Sequence, residues 1–450
     1  MFINREKELE SLEKEYSLKK SSFVVVYGRR RVGKTELLKQ FIKNKKSVYY
    51  MASQENSNIQ IKRFQELCAQ NLNNELLSMS IIDNFYNLFK IIAQNLKEKH
   101  VIVIDEFQYI IQQDKSLTSI FQKIWDEILI NKNIMLVICG SYIGMMEDIA
   151  LNYNSPLYGR RTMQIKLAPM KFSNARKFYS DISVNNQIEF YSITGGIPKY
   201  CQMIQKEKSL EENFKEIFLN KFSFLYTEPY FLLKEEINEP AVFFSILAII
   251  SQGDRKIGNI AKKMNMPVSN LTSFIKKLIL LEILERKVPV LENNPEKSKK
   301  GLYFIKDYYL RFWFRFIFPN QSFVENDNYE YVIEKIQTQF KYFISEIYED
   351  VCCQYMLENN EFKIIKAGRY WEKDIEIDII ALSEKKVYIC ECKWQEKKVD
   401  EKIFFNLKEK TRKLKFKQNL NIYYVIFSKN GFEENLIKLT EKENLKLIKL

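Results

Sequence analysis

A chain of 450 residues, 46% hydrophobic and 14% aromatic, is too long for one compact core, which predicts two to four folded domains and excludes a disordered polymer. No apolar run reaches the roughly 18 residues of a membrane span, and the charged start "MFINREKELE" lacks the apolar stretch of a signal peptide, so a cytoplasmic protein with no membrane partner is expected. The net charge of +13 admits a nucleic-acid partner, although Lys-, Asn- and Ile-rich composition also follows from an AT-rich genome; the seven cysteines form no CxxC pair, and His100 is the single histidine, so any metal chemistry must rest on oxygens.

The strongest signal comes first in the chain. In "FVVVYGRRRVGKTELLKQFIKN" an apolar strand over residues 23–27 runs into Gly28-x-x-x-x-Gly33-Lys34-Thr35 and then a helical stretch, which is the context a P-loop needs. Glycines let the backbone curl so that its N–H groups face phosphate oxygens, and the helix N-terminus adds partial positive charge. The expected nucleotide-binding set is Gly28, Arg29, Arg30, Arg31, Val32, Gly33, Lys34, Thr35 and Glu36. Lys34 is expected to reach the β- and γ-phosphates of ATP, and the Thr35 hydroxyl to ligate Mg²⁺. A second apolar run, "HVIVIDEFQYI", ends in Asp105, expected to hold the Mg²⁺ through water, and Glu106, expected to polarise the attacking water. A third, "IMLVICGS", places Ser141 where a hydroxyl can sense the γ-phosphate. Strands over 47–51, 101–105 and 135–139, alternating with helical segments, predict a parallel sheet with the site at its carboxyl ends.

The middle of the chain, from Ala241, reads as three helices and two strand-like pieces, a winged helix-turn-helix pattern. If it meets DNA, the helix from Val268 enters the major groove, and Lys276, Lys277, Lys297, Lys299 and Lys300 meet phosphates; the same lysines also suit a solvated face. The aromatic run over 303–319 is broken by Lys306, Arg311 and Arg315, which suits a joint between domains rather than a membrane.

Toward the C-terminus the order is helix, strand (363–370), strand (376–382), strand (386–394), helix, strand, helix, strand. A hairpin turn at "SEKK" sets Asp378 directly opposite Glu391, and strand alternation places Glu376, Asp378, Glu391 and Lys393 on one face with Cys390 and Cys392 on the other. Like charges facing each other cost tenths to about 1 kcal/mol, a sign that a divalent cation such as Mg²⁺ or Mn²⁺ reverses.

These motifs resemble the archaeal-type ATPases of the STAND/AAA+ branch of P-loop proteins. "FINREKELE" is similar to that family's adenine-side motif, with Arg5 and Glu6 matching and Asn4 in place of a glycine. The resemblance implies that Arg160 or Arg161 of "SPLYGRRT" contacts phosphate and that Pro198 of "TGGIPKY" lies against the adenine; read as residues alone, the arginines also fit a solvated pair and the glycines a helix stop. The C-terminal acids resemble the PD-(D/E)XK nuclease fold, which implies Asp378 and Glu391 as metal ligands, Lys393 as the group that orients water, and Glu349 as a helical acid added to the metal set. Ile377 stands where that family has proline.

The expected fold class is α/β: a P-loop ATPase core over 1–165, a helical lid over 166–235, a winged helix over 236–322 and an α/β nuclease-like domain over 323–450. ATP and Mg²⁺ are the expected cofactors, nucleic acid (DNA favoured) and a homo-oligomer formed on ATP binding the expected partners. An ATP-dependent signalling switch with an idle last domain is the alternative reading.

Overall fold

The computed structural model describes residues 2–237, 239–414, 416 and 420–450. Its contacts divide it into two compact units, Met1–Pro169 and Met170–Leu450. No helix among the described residues is long and apolar enough to cross a membrane.

The first unit is built on strands β1 (Ser22–Tyr27), β2 (Ser47–Met51), β3 (His100–Asp105), β4 (Ile134–Gly140) and β5 (Met163–Lys166). All pairings are parallel, in the order β2-β3-β4-β1-β5. The near-continuous Val/Ile runs follow from helices covering both faces of a parallel sheet. Alternate residues of β1 therefore enter different cores: Phe23, Val25 and Tyr27 pack with Phe64, Phe89 and Phe121, while Val24 and Val26 pack with Leu37, Leu38 and Phe41. Since β1, β4 and β3 are neighbours, the loops leaving their carboxyl ends meet in one place.

The second unit holds the expected lid, the middle helices and the last sheet. Helices Pro240–Ser251, Ile257–Lys263 and Val268–Leu280 precede an antiparallel pair, β6 (Leu284–Lys287) and β7 (Leu302–Ile305). Leu271, Ile275 and Leu278 bury one stripe of the third helix at helical spacing. The aromatic run over 303–319 packs within this unit: Phe312 lies against Phe214, Phe218 and Phe343, and Phe314 against Phe244.

The last sheet has strands β8 (Lys366–Glu372), β9 (Ile375–Leu382), β10 (Lys386–Lys393), β11 (Asn421–Ser428) and β12 (Leu445–Lys449) in the order β12-β11-β10-β9-β8. β8, β9 and β10 pair antiparallel, and β10, β11 and β12 pair parallel. β8 starts later than the 363–370 expected, because Lys363 sits at φ 48° and breaks the extended run. Helix Tyr329–Glu358 packs on one side of this sheet, with Tyr348 on Trp394 and Tyr355 on Phe427. Helix Glu401–Arg412 contributes Phe404 and Leu407 to the core with Val387 and Ile389.

Candidate functional site

The loop after β1 is shaped by two glycines. Gly28 lies at φ 148°, and a Cβ there would stand 2.3 Å from the Leu167 carbonyl oxygen; Gly33, at φ 94°, turns the chain into helix Lys34–Ile42. Lys34 is buried, and its ammonium donates to the carbonyls of Gly28 (2.8 Å) and Arg29 (2.9 Å). Burial holds its pKa below the usual lysine range, opposed by neighbouring groups that include Glu106 and Asp105. Thr35 Oγ1 donates to Asp105 Oδ2 at 2.9 Å, and the Tyr49 hydroxyl donates to the same oxygen. Asp105 Oδ1 accepts the Glu106 backbone N–H at 2.9 Å.

Glu106 takes a left-handed turn at φ 53°, a conformation that costs about 1–2 kcal/mol for a residue with a Cβ. Its carboxylate accepts from Ser141 Oγ at 2.8 Å and Gln108 Nε2 at 2.5 Å. Lys34, Thr35, Asp105, Glu106 and Ser141 thus lie at the adjoining ends of β1, β3 and β4, linked by hydrogen bonds or by charge. Tyr49 and Gln108 were not singled out in the sequence. The signal for Tyr49 is a hydroxyl on the alternate position of β2 beside β3; Gln108, two residues beyond Glu106, carries no local signal.

The remaining expected contacts scatter. Arg5, buried at φ 83°, holds the carbonyls of Val32 (3.0 Å) and Ala168 (2.7 Å), which places it as a clamp behind the loop. Arg29 and Val32 are buried, Arg31 sits at φ 68°, and Glu36 is exposed in the first helical turn. Arg160 pairs with Asp126 at 3.1 Å, and Arg161 donates to Gln164 (2.8 Å) and the Ala150 carbonyl (3.1 Å). Pro198 opens helix Pro198–Met203, which lies in the second unit.

In the last sheet the register is the expected one: Val387 pairs with Leu382, and the ladder runs to Cys390 with Ile379. One further step along it sets Glu391 opposite Asp378. There the pairing gives way, and Asp378 Oδ2 instead accepts the Cys392 backbone N–H at 2.7 Å. Lys393 donates to Glu391 Oε1 at 2.6 Å, while Glu391 Oε2, buried, has no hydrogen-bond partner and faces Lys410 at 3.5 Å. Burial and the Glu391 carboxylate push Asp378 up to about 6; burial and Asp378 push Glu349 up to about 9, against the pull of Arg369. Arg369 stands 3.6 Å from Glu349 and also pairs with Glu376. Asp378, Glu349 and Arg369 line a cavity of about 400 Å³ with Glu346, Asp350 and Arg311. Among the described residues no group of three or more His, Cys, Asp or Glu side chains stands arranged to hold a metal ion.

Of the lysines expected at a nucleic acid, Lys276, Lys297 and Lys299 are exposed, Lys277 is half-buried, and Lys300 is tied to Glu372 at 2.5 Å.

Residues 2–204 match the ATPase domain found predominantly in Archaea, and residues 313–404 match a family of archaeal and bacterial proteins of unknown function. An uncharacterized protein of Methanocaldococcus jannaschii is 34% identical over 455 residues, spanning 99% of this chain and 97% of its own. An uncharacterized ATP-binding protein of the same organism is 54% identical over 46 residues, 10% of this chain and 78% of its own. The Walker-type ATPase of Pyrococcus abyssi superposes with a TM-score of 0.50 at 19% identity, over 70% of this chain and 96% of its own, a likeness of fold. With a relative matched along nearly its whole length, the chain belongs to the family of that Methanocaldococcus protein, and within it residues 2–204 carry a P-loop ATPase domain of the kind found predominantly in Archaea.

Proposed function

We propose that the first unit binds ATP and hydrolyses it at the ends of β1, β3 and β4. The observation that carries this reading is the convergence of Lys34, Thr35, Asp105, Glu106 and Ser141 there. Lys34 exchanges its two loop carbonyls for phosphate oxygens when ATP arrives. Glu106 holds the attacking water and takes its proton, and Ser141, already bonded to Glu106, reports the γ-phosphate to it. The Thr35 hydroxyl and the Asp105 carboxylate, 2.9 Å apart, form an oxygen pair that suits Mg²⁺, which when bound neutralises charge on the β- and γ-phosphates. Measuring ATP hydrolysis by the intact chain beside Glu106→Gln tests this; equal rates from the two proteins would end it.

A second reading is favoured by one observation, the buried Glu391 oxygen left without a hydrogen bond beside Asp378. The last domain is proposed to be a PD-(D/E)XK nuclease-like domain in which Asp378 and Glu391, with Glu349 on the adjacent helix, hold Mg²⁺ or Mn²⁺. Lys393 then orients water toward a DNA phosphodiester. The donor chemistry suits a hard divalent cation, since it is all oxygen, while Lys393 and Lys410 face Glu391 and Arg369 faces Glu349. The middle helices and the β6–β7 pair support the winged-helix reading, with Lys276 and the exposed loop lysines toward DNA. Plasmid nicking with Mg²⁺ and ATP, compared between the parent chain and Asp378→Ala, decides it. Identical nicking would leave the ATP-dependent switch, in which the last domain only binds a partner.

A further inference from the structure

Arg30, the second of the four residues between Gly28 and Gly33, has an unusual seat. Its guanidinium donates to the Tyr109 hydroxyl at 3.0 Å and the Tyr142 hydroxyl at 3.5 Å, and lies 5.5 Å from the centre of the Tyr142 ring. The two tyrosines meet edge to face, their ring centres 5.9 Å and their hydroxyls 3.4 Å apart. Tyr109 follows Glu106 by three residues and Tyr142 follows Ser141 by one, so the pair rises from the ends of β3 and β4. Arg30 therefore spans from the phosphate loop to the two strands that carry the water-holding acid and the γ-phosphate sensor. It is also close enough to Lys34 to act on that ammonium electrostatically.

We propose that Arg30 is a catalytic residue of the ATPase site, moving from the tyrosine pair to a γ-phosphate oxygen when ATP binds and supplying the transition-state charge from within the same chain. The inference rests on the ATPase reading. In the step it serves, the water oxygen bonds to the γ-phosphorus, and the bond to the bridging oxygen breaks with its electron pair leaving on ADP. The water proton passes to Glu106. Arg30 exchanges no proton; its planar fork takes two of the equatorial oxygens on which charge builds. The hydroxyls of the tyrosine pair are neutral acceptors and its faces weakly attract cations, so each holds a guanidinium less tightly than a phosphate dianion does.

The test uses the full chain with Arg30→Ala and Arg30→Lys, assayed at saturating ATP across a range of protein concentrations. Arg30→Ala is expected to lower kcat about a thousandfold with KM changed only a few-fold, and Arg30→Lys to fall between. ADP with aluminium fluoride, which mimics the transferring phosphoryl group, is expected to bind the parent chain more tightly than ADP alone, a gain that Arg30→Ala loses. Specific activity of the parent chain is expected to be independent of its concentration. The proposal is overturned if Arg30→Ala keeps kcat within threefold of the parent, or if mixing Arg30→Ala with Glu106→Gln restores activity, since the arginine then acts between chains. A parent chain without ATP hydrolysis sinks the ATPase reading itself and this inference with it, an outcome distinct from an active parent and an unaffected variant. Unchanged ADP binding by both variants guards against misfolding, and Arg30→Lys decides if Arg30→Ala does not fold.

Discussion

The two acid sites of this chain are built on opposite principles. At the ends of β1, β3 and β4 each carboxylate has its donors in place: Thr35, Tyr49 and the Glu106 N–H serve Asp105, and Ser141 and Gln108 serve Glu106. In the last sheet Asp378 has one backbone donor, Glu391 keeps an oxygen without a hydrogen bond, and Glu349 sits 3.6 Å from a guanidinium. Burial and mutual repulsion raise Asp378 and Glu349 well above ordinary carboxyls. Acids held by neutral donors are relieved of repulsion in place, whereas crowded acids keep part of theirs.

The largest effect that can break this comparison is at Glu106. Replacing it with Gln keeps the hydrogen bonds from Ser141 and Gln108 approximately in place but removes the base, so kcat for ATP should fall by about 10²–10⁴ while ADP binding changes little. A matched fall in ADP affinity in an equilibrium titration would show that the residue supports the loop rather than the chemistry. At the other site, Asp378→Asn should reduce Mn²⁺-dependent plasmid nicking by on the order of a hundredfold and weaken Mn²⁺ binding seen by electron spin resonance. Nicking that survives the change would strip the last domain of its proposed chemistry.

Next in size is Tyr49→Phe. The phenol donates to the same Asp105 oxygen as Thr35, so its loss should raise the Mg²⁺ concentration for half-maximal ATP hydrolysis about tenfold at unchanged saturating rate. An unchanged Mg²⁺ dependence would leave Tyr49 a packing residue. A thermal-shift comparison sharpens the contrast further, because the two acids should answer with opposite signs. Asp105→Asn leaves three donors facing an amide and should destabilise by about 1–3 kcal/mol, while Asp378→Asn relieves repulsion from Glu391 and should stabilise the metal-free chain by up to about 1 kcal/mol.

How much of this was legible beforehand follows from which interactions are local. The P-loop was readable because backbone curvature needs glycines at fixed spacing, and the flanking Val/Ile runs betray a sheet covered on both faces. The β9–β10 register was equally readable, since a hairpin turn fixes which residues face each other. The partners that complete each site come from elsewhere in the chain. Arg5, expected at the nucleotide, donates to the Val32 and Ala168 carbonyls, and Arg160, expected at a phosphate, is engaged by Asp126; no spacing rule encodes either pairing. Arg369, which stands beside Glu349, carries no motif at all, because its place depends on β8 lying at the edge of the sheet.

The smallest effect concerns the same cavity that Glu349 and Asp378 line. Glu346 accepts from Arg255 through both oxygens at 2.7 Å, and Arg311 stands 3.9 Å away. Burial raises its pKa, but Arg255 and Arg311, with Arg369 beyond them, hold the carboxyl below the usual range. A depressed carboxyl contributes stability above the unfolded value of about 4.3, and loses it as pH falls through the lower folded value. About a third of the Glu346 side chain stays open to solvent, so the pair is worth about 1 kcal/mol rather than the 3–5 of a fully buried one. Glu346→Gln should therefore lower the unfolding temperature by a few degrees at pH 7, and the gap to the parent should close below pH 4. A gap that persists in acid would mean that the residue acts through packing, and that the cations around this cavity are held by the long helix rather than by its charge.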